Sequence, residues 1–391
     1  MRSGAIGAVR PSAELRAKRR AVFALFLLNG VGLASWAAHV PYIKEKFALS
    51  EAVLGVALLA VAAGSVSALL LGGQLVARLG SRTVTIGGAF GFCLALSLLL
   101  VVPVFALLFP VLAFFGACIG AMEVAINVQA IGVEERYGRP IMSSFHALFS
   151  VGGLLGAAIA ALTLRLGVPP VAHMVAIALG LAVLTVFAMP HLLPSDGEQA
   201  HDGPAIALPT GPLLGLGILA FFCLVAEGAM ADWSAVYLRE SLGTEASFAA
   251  AGYAAFSVAM AVGRFSGDTL RSRLHAVTLV RLSGALAAVG LGLGLLAGQP
   301  WATLAGFACV GLGLSNVVPV LFTAAGRTPG VAMSTGIAAV ASFGYFGFLL
   351  GPPVIGFVAQ LTTLAWGLGV LVLLLTLIAL LAGGAARADA G

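Results

Sequence analysis

The sequence predicts an all-α membrane protein in which twelve transmembrane helices form two pseudo-symmetric bundles of six. Three observations predict this fold: charged residues are scarce, long apolar runs recur along the chain, and the two halves share short patterns in the same order. Hydrophobic residues make up 61% of the chain and charged residues 9%, whereas a soluble domain carries about 25% charged residues. A chain this poor in charge cannot cover a water-exposed surface, so most of its solvent must be lipid.

Twelve apolar runs are long enough to cross a bilayer, which takes about 20 apolar residues. They lie at 21–43, 52–77, 83–103, 105–132, 141–164, 171–190, 213–238, 247–268, 275–297, 300–325, 331–360 and 364–383. Gly and Pro interrupt many of these runs, and membrane helices tolerate both. The 51 glycines also predict close helix contacts through small residues.

Lysine and arginine are distributed unequally between the two sides of the predicted membrane. This bias predicts orientation, because cytoplasmic loops are enriched in both residues. The side that carries the N-terminus holds Arg2, Arg10, Arg16, Lys18, Arg19, Arg20, Arg78, Arg82, Arg136, Arg139, Arg271, Arg273, Arg327 and Arg387. The opposite side holds Lys44, Lys46, Arg165 and Arg239. We therefore expect an inner-membrane protein with both termini in the cytoplasm.

The longest connection, His191 to Pro212, divides the runs into two sets of six. It is rich in Pro, Gly and acidic residues, a composition typical of flexible linkers. We expect five regions: a cytoplasmic tail (1–20), a first bundle (21–190), a cytoplasmic linker (191–212), a second bundle (213–383) and a second cytoplasmic tail (384–391).

Short patterns recur in the two halves. Tyr42-Ile-Lys-Glu45, near the end of helix 1, matches Tyr237-Leu-Arg-Glu240, near the end of helix 7. Further on, Gly120-Ala-Met-Glu123 in helix 4 matches Gly313-Leu-Ser-Asn316 in helix 10. Parallel halves with a binding site between them at mid-membrane are one architecture of solute carriers.

The loop after helix 2 reads Gly73-Gln-Leu-Val-Ala-Arg-Leu-Gly-Ser-Arg82 and is similar to the GxLaDRxGRR signature of the major facilitator superfamily. The chain resembles that superfamily over nearly its whole length, which implies the two-bundle fold and transport of a small solute by alternating access. The signature's Asp, which belongs to a cytoplasmic latch in the family, is replaced by Ala77. The second-half counterpart keeps both charges, in Arg264 and Asp268.

Two further stretches resemble the fucose-permease-like branch of bacterial transporters within that superfamily. In helix 4, Glu123 is followed four residues later by Asn127, and helix 5 begins with Ser143-Ser-Phe-His146. The resemblance implies a polar substrate such as a sugar, moved together with protons. Ala37 stands where the branch's sugar symporter has an Asp in its proton route, so the same route is not expected here.

Ionisable residues inside a membrane span cost about 2.5–3.5 kcal/mol on insertion scales, which makes them functional candidates. Glu123 and Asn127 share one face of helix 4. Counted by the rise per residue from the helix ends, Asn127 and His146 lie at similar depth, with Glu123 one turn deeper. We expect Glu123 and His146 to form a proton-accepting pair, since an imidazole near a carboxylate titrates near physiological pH. A hydrogen-bonded structural pair is the alternative.

Helix 7 carries Glu227 at its middle and Asp232 nearer the outer mouth. We expect Glu227 in the substrate site and Asp232 in an outer gate, because residues five apart do not share a helix face. Arg264 and Asp268 form an i,i+4 pair near the inner end of the predicted helix 8. We expect this pair to act as a gate latch away from the substrate, with an intrahelical ion pair as the alternative.

Arg78 and Arg82 complete the predicted gate. Asn29, Asn316 and Tyr345 are polar residues inside helices 1, 10 and 11. We expect them to line the cavity, although such residues are often packing contacts between helices.

The stretch from Gly347 to Gly356 resembles the GxxxGPxxG pattern of the superfamily's antiporters. In this chain it lies in helix 11 and not in helix 5, so we interpret it as a bending and packing element. The four cysteines lie within apolar runs, without a CxxC pair or a neighbouring histidine. We therefore expect neither a metal nor another cofactor.

The first hypothesis is a secondary carrier that moves a small polar solute, with protons as the coupling ion. Efflux of drug-like amphipathic compounds is the alternative. A membrane enzyme or a receptor is a third class, which the sequence disfavours because it has no nucleophile–base pair, metal cluster, phosphate loop or large soluble domain. We expect a monomer whose partners are the substrate, protons and the lipid bilayer, and no nucleic acid.

Overall fold

A computed structural model describes residues 12–138, 141–194, 209, 211–331 and 333–389, with the backbone alone for 143, 212, 268, 333, 334 and 338. Most of the predicted linker and the first eleven residues lie outside this description. The principal helices are α1 (Ala13–Lys46), α2 (Glu51–Leu79), α3 (Ser81–Leu99), α4 (Phe105–Tyr137), α5 (Met142–Arg165), α6 (Pro170–Ala188), α7 (Leu214–Val236), α8 (Ala251–Arg273), α9 (Ala276–Ala297), α10a (Pro300–Leu314), α10b (Val317–Gly326), α11 (Met333–Leu361) and α12 (Leu364–Leu380).

Eleven helical segments of the described chain are long and apolar enough to cross a membrane. A twelfth span results if α12 is joined to the helix Ala382–Asp389, from which it is bent by 44°. The predicted all-α fold is therefore confirmed. α1, α4 and α8 extend further than their apolar runs predict, because each helix continues into polar residues beyond the apolar stretch.

The two bundles repeat the same close helix contacts. Gly116 of α4 lies so near α2 that an added Cβ would be 1.9 Å from a carbonyl oxygen there, and Gly311 of α10a lies equally close to α8, at 2.1 Å. Gly152 of α5 against α1 corresponds to Gly347 of α11 against α7, at 2.3 and 2.5 Å. At each site any side chain would force the backbones apart, so the predicted packing through small residues is confirmed.

The bundles meet at what we call the far end, where the α1–α2 and α7–α8 connections lie, opposite the start of α1. There α2 packs against α11. An added Cβ at Gly55 would be 2.6 Å from the Pro352 carbonyl oxygen, and one at Gly356 would be 2.6 Å from a carbonyl of α2. The stretch from Gly347 to Gly356 therefore packs against both bundles, as its predicted packing role requires.

The residues after α12 pack onto the second bundle as a short 3-10 helix, Ala382–Asp389. The Asp389 carboxylate accepts hydrogen bonds from Arg271 Nη2 at 2.5 Å and from the Ala276 backbone N–H at 2.9 Å. Arg327 Nη1 donates to the Ala388 carbonyl at 2.7 Å. Residues 384–389 of the predicted tail thus belong to the packed bundle and join α8, α9 and α10b.

Candidate functional site

Polar side chains from both bundles converge on a set that we call the central cluster. It consists of Glu123 and Asn127 of α4, His146 of α5, Glu227 of α7, Arg264 of α8 and Tyr345 of α11. All of them keep some accessible surface. Glu123, Glu227 and Arg264 lie near the middle of their helices, and these ionisable groups of the two bundles interact with one another.

Glu227 and Arg264 form an ion pair within the second bundle. Arg264 Nη2 lies 3.8 Å from Glu227 Oε1, and the two side chains are 36% and 27% exposed. This contact corrects the prediction that Arg264 lies at the inner end of its helix, away from the substrate region. α8 continues to Arg273, so Arg264 is about 13 Å from its end at about 1.5 Å per residue.

Glu123 is held by Asn127 on the same helix. Asn127 Nδ2 donates to Glu123 Oε1 at 3.1 Å and to the Glu123 backbone carbonyl at 2.8 Å. The predicted shared face is therefore confirmed. Glu123 also interacts electrostatically with Arg264 and Glu227 of the other bundle.

His146 does not pair directly with Glu123. No hydrogen bond or ion pair joins these two side chains in the described part of the chain. The His146 ring instead packs edge-on against Phe26, with ring centroids 5.1 Å apart, and it interacts electrostatically with Arg264. Similar depth on neighbouring helices was therefore not sufficient to predict contact, because the side chain rotates toward α1.

Two tyrosines border the cluster. Tyr345, predicted from the sequence, stacks on Phe348 with centroids 6.5 Å apart and interacts with Glu123 and Glu227. Tyr253 of α8 was not predicted, because it looked like one more aromatic residue in an apolar run. It interacts electrostatically with Glu227, Arg264 and Asp232. Asp232, the predicted outer gate residue, therefore lies on the Tyr253 side of the cluster.

Asn29 and Asn316 do not line an open crevice in this conformation. Asn29 is 1% exposed and Asn316 is 9% exposed. Asn316 lies at the break between α10a and α10b, where its Nδ2 donates to the Gly263 carbonyl at 3.0 Å and to Ser315 Oγ at 2.9 Å. The packing alternative therefore describes Asn316 better than the predicted cavity-lining role.

The predicted gate residues are dispersed. Arg78 is exposed at the end of α2. Arg82 donates from Nη2 to the Met189 carbonyl at 3.2 Å, a contact inside its own bundle. The Asp268 side chain, and with it the predicted pair with Arg264, lies outside the described residues.

A different set of charges, which we call the far-end latch, joins the bundles. Lys44 of α1 pairs with Glu240, and Arg239 Nε lies 3.5 Å from Glu45 Oε1. These four residues come from the repeated Tyr-x-Lys/Arg-Glu segments, and each cation pairs with the acid of the opposite segment. Such reciprocal exchange is the geometry of a two-fold contact.

Each latch cation also has an acceptor in its own bundle. Lys44 Nζ lies 3.2 Å from Glu51 Oε1. Arg239 Nη1 donates to the Thr244 carbonyl at 2.9 Å. The sequence contained the signal for the latch, namely the repeated segments, but not the pairing across the repeat.

Two repeated helical bundles that enclose a charged cluster define a multi-pass membrane transporter for a small solute. The chain belongs to the Major Facilitator Superfamily, whose sequence profile matches residues 22–334. It is 38% identical over 372 residues to an uncharacterized MFS-type transporter of Yersinia pestis, covering 95% of this chain and 96% of that one.

Two solved structures share the fold. A D-xylose–proton symporter superposes with a TM-score of 0.77 at 13% identity, covering 95% of this chain and 97% of that chain. The nucleoside transporter NupG superposes with a TM-score of 0.69 at 15% identity, covering 97% of this chain and 99% of that chain. At these identities the likeness concerns the fold.

Proposed function

We propose that the protein moves a small polar solute, a sugar or a similar metabolite, across the inner membrane by alternating access, with the central cluster as its binding site. The observation that carries the proposal is that Glu123 of the first bundle interacts electrostatically with Glu227 and Arg264 of the second, which themselves form an ion pair. A rocking motion of the bundles changes the separation of these groups. In this proposal the protein belongs to the fucose-permease-like branch, works as a monomer and has both termini in the cytoplasm.

Charge balance supports protons as the coupling ion. The cluster holds two carboxyl groups, Glu123 and Glu227, against one guanidinium, Arg264. When all three are ionised, one negative charge is in excess, and charge at this depth is costly. A proton on Glu123 removes the excess, and the Asn127 amide holds the carboxyl group in place.

The far-end latch supports the conformational part of the proposal. The Lys44–Glu240 and Arg239–Glu45 pairs join the bundles at the far end, and in this proposal the substrate reaches the cluster from the opposite end. Opening the far end requires both cross-bundle pairs to break. In this proposal, alternating access changes the distances between charged groups at two places, the far-end latch and the central cluster.

The substrate is identified first, by a thermal-shift screen of the purified protein against sugars, organic acids, nucleosides and drugs, because a ligand that binds the native state raises its apparent stability. Uptake of the hit is then measured in proteoliposomes with an imposed pH gradient. We expect Glu123→Gln to lower gradient-driven uptake by about tenfold or more, corresponding to about 1.4 kcal/mol. Exchange of labelled for unlabelled substrate without a gradient should persist.

The matched control is Glu135→Gln, on the exposed surface of the same helix, which should transport like the wild type. Full gradient-driven uptake by Glu123→Gln would contradict the coupling role. Efflux of amphipathic drug-like compounds is the alternative function. Drug resistance conferred on a pump-deficient strain, without uptake of any polar compound, would favour it.

A further inference from the structure

An apolar groove of about 730 Å³ runs along α2, α3 and α4. Its floor is the close α2–α4 contact, lined on the α4 side by Ala113, Ala117 and Ala121. Gly87 of α3 forms part of one wall, where an added Cβ would meet no atom within 4 Å. The groove exists because small residues on three helices leave a trough where larger side chains would fill the space.

The groove opens away from the central cluster. Glu123 follows Ala121 by two positions, which places it about 200° around α4. Leu71 and Phe114, which line the groove, are exposed on the bundle surface. In a chain that spans a membrane, this surface contacts hydrocarbon, so the groove is open to the lipid phase.

The groove has the length of a lipid chain. Along α2 it extends from Gly64 to Leu79, which is about 22 Å at about 1.5 Å per residue. One leaflet contributes about half of the roughly 30 Å hydrocarbon core. The groove is therefore longer than the thickness of one leaflet, and it opens at the membrane surface beside the last turn of α2. A groove of this shape can hold an extended acyl chain.

Arg78 stands at the mouth of this groove. It precedes Leu79 and follows Leu71 by seven positions, so it continues the groove face of α2. Arg78 is exposed, and within the described residues it has no hydrogen bond or ion pair. The position before it, an acid in the superfamily signature, is Ala77. The substitution therefore leaves a guanidinium without its usual neighbouring carboxylate.

We propose that the groove binds an anionic phospholipid, with one acyl chain along α2–α4 and its phosphate on Arg78. Guanidinium groups bind phosphate through paired hydrogen bonds. A basic side chain at the membrane surface also favours anionic over neutral lipids. The chain restores the dispersion contacts that an empty trough lacks. This site is separate from the proposed transport site and does not depend on the identity of the substrate.

The test is lipid titration of the delipidated, full-length protein, followed by native mass spectrometry. Phosphatidylglycerol and phosphatidylcholine with identical acyl chains are compared. We expect wild type to bind one phosphatidylglycerol about fivefold more tightly than phosphatidylcholine. Arg78→Gln should reduce this preference to near unity. Arg273→Gln, an exposed arginine at the corresponding end of α8, should keep it.

The groove itself is tested by Gly87→Leu, which places a side chain in the trough without a backbone clash. The matched control is Gly180→Leu in α6, where an added Cβ also meets no atom within 4 Å. Gly87→Leu should weaken the binding of both lipids, whereas Gly180→Leu should leave the binding of both unchanged. Each variant should elute as folded protein in size-exclusion chromatography. Equal lipid binding by these two variants, or an unchanged headgroup preference in Arg78→Gln, would overturn the proposal.

Discussion

Helix 4 of the first bundle and helix 10 of the second occupy equivalent places, yet their matched residues Glu123 and Asn316 have different surroundings. Glu123 is half-buried in a continuous helix and interacts with charges of the other bundle. Asn316 is buried where its helix breaks into α10a and α10b. Its side-chain amide donates a hydrogen bond of 3.0 Å to the Gly263 carbonyl of α8. One position carries a titratable group, and the other joins two half-helices to a neighbour.

This difference shows that some features of the fold are common to both bundles, whereas the residues of the central cluster differ between them. The glycine contacts and the far-end latch repeat in both bundles, so they belong to the shared scaffold. The central cluster does not repeat. The first bundle contributes Glu123, whereas the second contributes Arg264, adjacent in sequence to the Gly263 carbonyl that Asn316 holds. Asn316 therefore contacts the backbone next to Arg264 and does not itself contribute a charge to the cluster.

The comparison is tested most severely at Arg264, the cation that interacts with both carboxylates. We expect Arg264→Gln to abolish measurable uptake and to lower the unfolding temperature, because Glu227 loses its partner at a depth where charge is costly. Arg264→Gln combined with Glu227→Gln should recover the unfolding temperature but not uptake. If the double variant were as unstable as the sum of both single variants, the 3.8 Å contact would not be energetically coupled.

The shared scaffold is tested at Lys44. Lys44→Glu places a third acid beside Glu51 and Glu240, and like charges repel. We expect the far end to open, measured as a longer distance between spin labels on the α1–α2 and α7–α8 connections. Lys44→Glu with Glu240→Lys should restore the short distance. Arg239→Gln should have a smaller effect, because its pair with Glu45 is 37% and 55% exposed and exposed pairs contribute little.

The smallest expected effect is at Asn316. Asn316→Ala removes the hydrogen bond to Gly263 and should cost about 1–2 kcal/mol of stability, seen as a modest fall in the unfolding temperature. Substrate affinity should fall only slightly. Glu123→Gln should show the reverse pattern, with gradient-driven uptake strongly lowered and stability kept. Abolished transport in Asn316→Ala with an unchanged unfolding temperature would contradict the different roles assigned to the matched positions.

The fold could be predicted from the sequence because each span is a long apolar run, and hydropathy identifies such runs without knowledge of their neighbours. Helix ends were less predictable. The polar residues between Asp268 and Arg273 looked like a loop, but they continue α8. That error moved Arg264 from the middle of its helix to the end and concealed its contact with Glu227.

The site was predictable where partners share a helix. Glu123 and Asn127 are one turn apart, so their contact follows from helical geometry. Contacts between helices were not accessible in this way. The direct Glu123–His146 pair was wrong, since sequence spacing sets depth but not rotation. The far-end latch could not be predicted either, because the sequence does not show that Lys44 and Arg239 each pair with the acid of the opposite repeat.

The two acceptors available to each latch cation have a kinetic consequence. When the bundles separate at the far end, Lys44 still has Glu51 and Arg239 still has the Thr244 carbonyl. Neither the ammonium nor the guanidinium would therefore lose every acceptor when the far end opens. We therefore expect the opening of the far end to exchange one set of acceptors for another, with a lower activation barrier than a latch whose cations had a single partner.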